Sequence, residues 1–154
     1  VVQMEDIIRE YGIHSAKLLT ALFLGILLGL EREKSGKTAG IKTHGLVSMG
    51  SALFVIISLI VSNTFAEETI FDPLRVASHI IVGVGFIGGG AIIVKNDTIS
   101  GLTSAANLWI AAGIGMATGF GLYPLAILVT VMALLVFLIV GFIDRRTKRR
   151  SEDS

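Results

Sequence analysis

The stretch LYPLAILVTVMALLVFLIVGFI, residues 122–143, contains no Asp, Glu, Lys, Arg or His. As a helix rising about 1.5 Å per residue it reaches about 33 Å, enough to cross a hydrocarbon core of about 30 Å. Asp144 and the basic residues Arg145, Arg146, Lys148, Arg149 and Arg150 follow at once, the change of polarity expected where a chain leaves lipid for water. A helix is the element to expect, because it pairs its own backbone groups, each of which costs several kcal/mol when left unpaired in lipid.

Upstream, the same reading repeats. Residues 43–66, 76–94 and 98–143 are free of Asp, Glu, Lys and Arg. The chain is 53% apolar and 16% charged, with a mean hydropathy of +0.79, whereas soluble domains average about 45–50% and about 25%. Five hydrophobic segments result: 13–30, 45–61, 76–94, 102–119 and 122–143. The predicted fold class is an all-α, polytopic integral membrane protein with five transmembrane helices. Residues 1–12 form a polar N-terminal segment that does not read as a removable signal, 13–143 the helical domain and 144–154 a basic tail. The fourth segment, rich in Ala, Gly, Ser and Thr, suits close packing inside a bundle better than a lipid-facing position. Lys17, inside the first segment, is expected to snorkel to the surface. Trp109, about 10 Å deep along the fourth segment, reads as a packing residue.

Charge sets the orientation. With five spans, Arg32, Lys34, Lys37, Lys42, Lys95, Arg145, Arg146, Lys148, Arg149 and Arg150 all fall on one side. The other side receives Arg9, Lys17 and Arg75, beside the acidic Glu67, Glu68 and Asp72. The positive-inside rule then places the N-terminus outside and the C-terminus in the cytoplasm. Tyr11, Phe65, Phe71, Phe120 and Tyr123 gather near the outer boundary as an aromatic belt. Asp72-Pro73 reads as an N-cap and first helical residue opening the third helix, and 95–101 as a tight turn.

The chain has no cysteine, which excludes disulfides, thiol catalysis and thiolate metal sites. The residues Gly83-Val84-Gly85-Phe86-Ile87-Gly88 match G-x-G-x-x-G literally, but they lie in an apolar span without the strand that a dinucleotide site requires. Neither a nucleotide cofactor nor a nucleic-acid partner is expected. Gly25/Gly29, Gly85/Gly89 and Gly115/Gly119 are G-x-x-x-G pairs that offer flat stripes to neighbouring helices, and through them to a second copy of the chain as a homodimer. Gly88-Gly89-Gly90 also allows a helix break, as in transporters with discontinuous helices.

Polar residues within or beside the spans are the functional candidates. Asp72, Arg75 and His79, three and four apart, share one face at the outer end of the third helix. At the inner side Glu31 and Arg32 end the first helix, Thr43 and His44 begin the second, and Thr103, Ser104 and Asn107 open the fourth. Two readings stand side by side: these inner residues converge on one polar pocket at the cytoplasmic boundary, or Glu31 and Arg32 are ordinary headgroup-level charges. Magnesium asks for near-octahedral oxygen ligands, and no carboxylate lies at mid-depth. If a metal is held, Glu31 or Asp72 would hold it.

The stretches Gly29-Leu30-Glu31-Arg32-Glu33 and Ala39-Gly40-Ile41-Lys42-Thr43-His44-Gly45-Leu46-Val47, the run from Arg75-Val76-Ala77 through Gly83–Gly90, and Gly101-Leu102-Thr103-Ser104-Ala105-Ala106-Asn107-Leu108-Trp109 resemble the MgtC/SapB family of bacterial inner-membrane proteins. The resemblance covers most of residues 20–140. It implies a protein of the prokaryotic plasma (inner) membrane linked to growth in low magnesium and, in pathogens, to virulence. Its members are often labelled magnesium transporters, and the virulence-associated ones look more like regulators that restrain the membrane ATP synthase. Lys42 and His79 stand where the family is expected to carry arginine and glutamine, and longer members add a soluble cytoplasmic domain. The expected function is therefore non-enzymatic: magnesium or ion homeostasis through binding another membrane complex, with a conduit for Mg2+, another cation or protons as the competing reading.

Overall fold

The computed structural model describes residues 4–65 and 72–152. Five helices form: α1 (Met4–Lys34), α2 (Ile41–Thr64), α3 (Pro73–Gly90), α4 (Leu102–Gly119) and α5 (Tyr123–Glu152). This is the all-α, polytopic membrane architecture that the charge-free stretches predict. Three segments are long and apolar enough to cross a bilayer by themselves: Ile8–Lys34, Ile41–Thr64 and Tyr123–Ile143. The other two helices have 18 residues each, about 27 Å. α4 is the most enclosed, touching all four others, and Ser104, Asn107, Ala111, Ala112, Gly115, Thr118 and Gly119 on it are buried against protein. The outer-loop residues Glu67, Glu68 and Phe71 lie outside the described residues.

Local chemistry sets the helix ends. Asp72 accepts the Leu74 N–H at 2.9 Å and Pro73 opens α3, as the sequence predicts. At α2 the N-cap is Gly40, which has no side chain to offer; Glu33 reaches across the loop instead and its Oε2 accepts the Ile41 N–H at 3.0 Å. The third apolar segment stops earlier than expected. α3 ends at Gly90, and Ile93 and Val94, counted with the span, belong to a hairpin between β1 (Ile93–Lys95) and β2 (Thr98–Ser100). Asn96 and Asp97 both have positive φ, 48° and 60°, the conformation of a two-residue type I′ turn that Asn and Asp tolerate best.

The helices meet where side chains vanish. A Cβ on Gly25 would lie 2.6 Å from the His44 carbonyl oxygen, and one on Gly29 2.6 Å from the Ile41 Cα. These two glycines seat α1 on α2. A Cβ on Gly115 would strike the Ser48 carbonyl, and one on Gly119 would lie 2.8 Å from the Val55 Cβ, so α4 is seated on α2 the same way. Buried Leu24, Leu28, Ala111, Ile114 and Ala126 fill the space between α1, α4 and α5, while Val55, Ile80, Val84 and Ala112 fill that between α2, α3 and α4. Large exposed residues such as Phe23, Phe54, Phe86, Leu135 and Ile139 face outward, as they do when the surroundings are acyl chains.

Lys17 is half-buried and reaches the end of α4 beside Phe120. Its Nζ donates to the Gly119 carbonyl at 2.9 Å, satisfying an end carbonyl of α4 and tying α1 to the α4–α5 turn. Trp109, read as a packing residue, is 50% exposed on the outward side of α4.

Candidate functional site

The inner polar residues converge, in part, on a buried cluster held by four helices. Arg32, in the last turn of α1, is 4% exposed. Its Nη2 donates to Ser104 Oγ of α4 at 3.4 Å, its Nη1 lies 3.7 Å from Glu31 Oε2, and its guanidinium sits 4.8 Å from the centre of the Phe137 ring of α5. Stacking on an aromatic face is one of the few ways to hold a guanidinium away from water, because ring and cation attract electrostatically. Glu31 itself is half-turned to the surface, and its Oε1 accepts from Ser35 at 2.7 Å.

His44 and Asn107 form the second half of the cluster. His44 Nδ1 lies 2.9 Å from the Gly40 carbonyl oxygen. A carbonyl only accepts, so in the neutral ring Nδ1 carries the proton and Nε2 the lone pair. Asn107 Nδ2, 2.9 Å from Nε2, is then the donor. One backbone carbonyl in the α1–α2 loop therefore fixes the imidazole tautomer, and the imidazole fixes which way the Asn107 amide points. Asn107 Oδ1, Ser48 Oγ, Arg32 Nε and Glu31 Oε2 are all buried without a hydrogen-bond partner. Buried polar atoms are ordinarily hydrogen-bonded, so this grouping makes the cluster the candidate site among the inner residues.

The remaining inner candidates stand apart. Thr43 lines a shallow cavity of about 280 Å³ with Ile87, Gly90 and Ile93. Thr103 is exposed and lines a groove between α4 and α5. Phe137 belongs to the cluster yet carries no sequence signal of its own, being an aromatic in an apolar run.

The outer trio does not assemble into a site. Asp72 is engaged at the α3 N-terminus, and Ser78 Oγ and His79 Nδ1 both meet the Arg75 carbonyl of their own helix, at 2.7 and 2.6 Å. His79 also borders an apolar groove of about 590 Å³ between α2 and α3. Gly88-Gly89-Gly90 forms the last turn of α3, with the Ala91 N–H bonded back to Gly88, and makes no break at mid-depth. Among the described residues, no three His, Asp or Glu side chains gather as metal ligands.

Comparison with known proteins places this arrangement. A model of the MgtC family matches residues 18–146, which carry the whole cluster. The chain belongs to the MgtC family. YhiD of Escherichia coli strain K12, named as a candidate magnesium transporter, is 47% identical over 124 residues, covering 77% of this chain and 56% of YhiD. SapB of Bacillus subtilis strain 168 is 42% identical over 128 residues, covering 81% of this chain and 53% of SapB. MgtC of Salmonella typhimurium strain LT2 is 38% identical over 117 residues, covering 76% and 48%. The chain spans about half the length of the curated relatives it matches. No solved structure matches it significantly. A family model spanning the helical domain, together with three long apolar helices, makes this MgtC-family chain a bacterial membrane protein.

Proposed function

We propose that this chain is a multi-pass protein of the bacterial plasma (inner) membrane, N-terminus outside and C-terminus in the cytoplasm. It serves magnesium or ion homeostasis without being an enzyme, by binding or regulating another membrane complex. The magnesium link rests on the names of the relatives. The regulatory half rests on one observation, the buried Arg32. The cluster around it holds one carboxylate and one guanidinium, so it has no excess negative charge to draw in a doubly charged ion. Magnesium keeps most of its water and asks for one or two carboxylates in octahedral geometry. Neither Glu31, paired beside Arg32, nor Asp72, engaged as a helix cap, offers that. A buried cation stacked on an aromatic and held by a serine reads instead as an element that fixes the relative positions of α1, α4 and α5 at the cytoplasmic end. That is where a partner would sense or set them.

The ATP synthase is the membrane complex to test first. Reconstituted in liposomes, the chain is expected to admit no more Mg2+ than empty liposomes do. Inverted vesicles containing it are expected to show weaker ATP-driven proton pumping than vesicles with the Arg32→Ala variant. The conduit reading has YhiD's name in its favour, and Mg2+ entry that disappears in Asn107→Ala or His79→Ala would establish it instead.

A further inference from the structure

Two of the three histidines, His44 and His79, turn Nδ1 onto the carbonyl one helical turn before them, at 2.9 and 2.6 Å. His44 is set apart by what its other nitrogen meets. Asn107 Nδ2 lies 2.9 Å from His44 Nε2, and the two residues are 3% and 0% exposed. An imidazole facing a carboxamide is a pairing in which each side can exchange the role of donor for that of acceptor.

In the neutral ring Nδ1 carries the proton, held by the Gly40 carbonyl, and Nε2 accepts from Asn107. Asn107 Oδ1 is then left without a partner. A carboxamide turned half a revolution about its Cβ–Cγ bond keeps nearly the same shape, with oxygen and nitrogen exchanged. The turned amide presents an acceptor to Nε2, which is what an imidazolium needs, since both its nitrogens donate. The Gly40 carbonyl serves Nδ1–H in either state. The unpaired oxygen of the neutral state is therefore the ready acceptor of the charged one, and the exchange asks no backbone to move.

Charge around the ring is nearly balanced. Arg32 and Glu31 of α1 are the charged groups that act on His44. Asn107 and Ser104 of α4 and Phe137 of α5 add none, and Arg75 of α3 stands at the other end of its helix. Burial and the Arg32 guanidinium oppose an imidazolium; Glu31, whose Oε2 is buried without a hydrogen bond, and the turned amide favour it.

We propose that His44 is a proton-binding site with Asn107 as its two-way partner: a proton taken from water at the cytoplasmic end binds Nε2, and the amide turns so that Oδ1 accepts it. The second cation then repels Arg32 and weakens the hold of Ser104 and Phe137 on the guanidinium. That consequence rests on the regulatory reading of the Arg32 cluster; the proton chemistry does not.

The test follows the full chain in nanodiscs by NMR, with 15N in its histidines and asparagines, between about pH 8 and pH 5, the range in which histidine ordinarily titrates. His44→Gln and Asn107→Leu identify the two sets of signals. At the upper end the expected result is a protonated Nδ1 and a scalar coupling between Asn107 Nδ2 and His44 Nε2 across the hydrogen bond. On acidification the coupling is expected to vanish at the pH where Nε2 gains its proton, with the backbone signals of α2 and α4 retained. In Asn107→Leu the ring is expected to bind its proton about fivefold more weakly, half-protonation falling by about 0.7 pH unit, because a charge-assisted hydrogen bond is stronger than a neutral one. Should that variant fail to fold, Glu31→Gln is expected to lower half-protonation through loss of its attraction. A ring that stays neutral throughout, one that carries its proton on Nε2 at pH 8, or protonation that comes only with loss of the backbone signals overturns the proposal. So does a half-protonation point that neither variant moves. No partner complex enters the measurement, so the regulatory reading can fail while the proton site stands.

Discussion

Gly115/Gly119 on α4 and Gly85/Gly89 on α3 are the same motif by sequence, and the molecule uses them in opposite ways. At Gly115 an added Cβ would strike the Ser48 carbonyl, and at Gly119 it would press on Val55. At Gly85 and Gly89 it would meet nothing within 4 Å, and the neighbouring Phe86 is 85% exposed. G-x-x-x-G makes a flat helix face; whether a helix lies on that face is decided by the rest of the fold. On α4 the flat face lets α2 approach closely enough to bring His44 to Asn107. On α3 it lies open on the outside of the helix bundle. The closed seam is therefore part of the site's construction, and the open face is not.

The largest test of that difference is Gly115→Ala. Its new methyl cannot fit unless α2 and α4 separate, and overpacking of this kind costs typically about 1–3 kcal/mol, toward the upper end where the obstacle is backbone. The expected outcome is a large loss of folded protein in detergent, read by the SDS concentration at which Trp109 fluorescence changes. If Gly115→Ala unfolds where the unaltered chain does, the close α2–α4 approach is wrong and the His44–Asn107 bond falls with it.

A middle-sized effect separates residues within the candidate site. Asn107→Leu keeps the volume and leaves His44 Nε2 buried without its donor, at a cost of about 1–2 kcal/mol. Thr103→Val, one turn away on the same helix but exposed, is expected to stay within about 0.5 kcal/mol of the unaltered chain. Equal losses in the two variants would mean that Asn107 belongs to no special network.

Part of this was legible in the sequence. The five helices follow from where the charges are absent, because lipid penalises charge strongly enough to write its boundaries into composition. The convergence of Arg32, His44, Ser104 and Asn107 follows from their places at three helix ends on one side. The hairpin at 93–100 did not follow: Ile93, Val94 and Ile99 are as apolar as a span end, and hydropathy cannot tell strand from helix. The local signal was Asn96-Asp97 between β-branched residues, two positions suited to positive φ. Phe137 was hidden for another reason. In a run such as 125–140 many apolar residues face lipid, and one aromatic turned inward to stack on Arg32 looks like the rest. Lys17 was legible in part: its ammonium runs toward the helix ends, but the Gly119 carbonyl that receives it there has no mark in the sequence.

The smallest effect is the most discriminating, because its sign differs from the others. Glycine inside a helix costs roughly 0.5–1 kcal/mol relative to alanine, mainly in the backbone freedom given up on folding. At Gly115 that gain is overwhelmed by the collision with Ser48. At Gly85 and Gly89 nothing opposes it, so Gly85→Ala and Gly89→Ala are expected to raise stability slightly, by up to about 1 kcal/mol each, in the same Trp109 assay. A homodimer built on the α3 stripe predicts the reverse: the added methyls would separate the two copies, lowering stability and shifting the chain toward monomer in analytical ultracentrifugation. A small gain with unchanged mass leaves α3 facing lipid; a loss with a change in mass moves its glycines from the open class to the closed one.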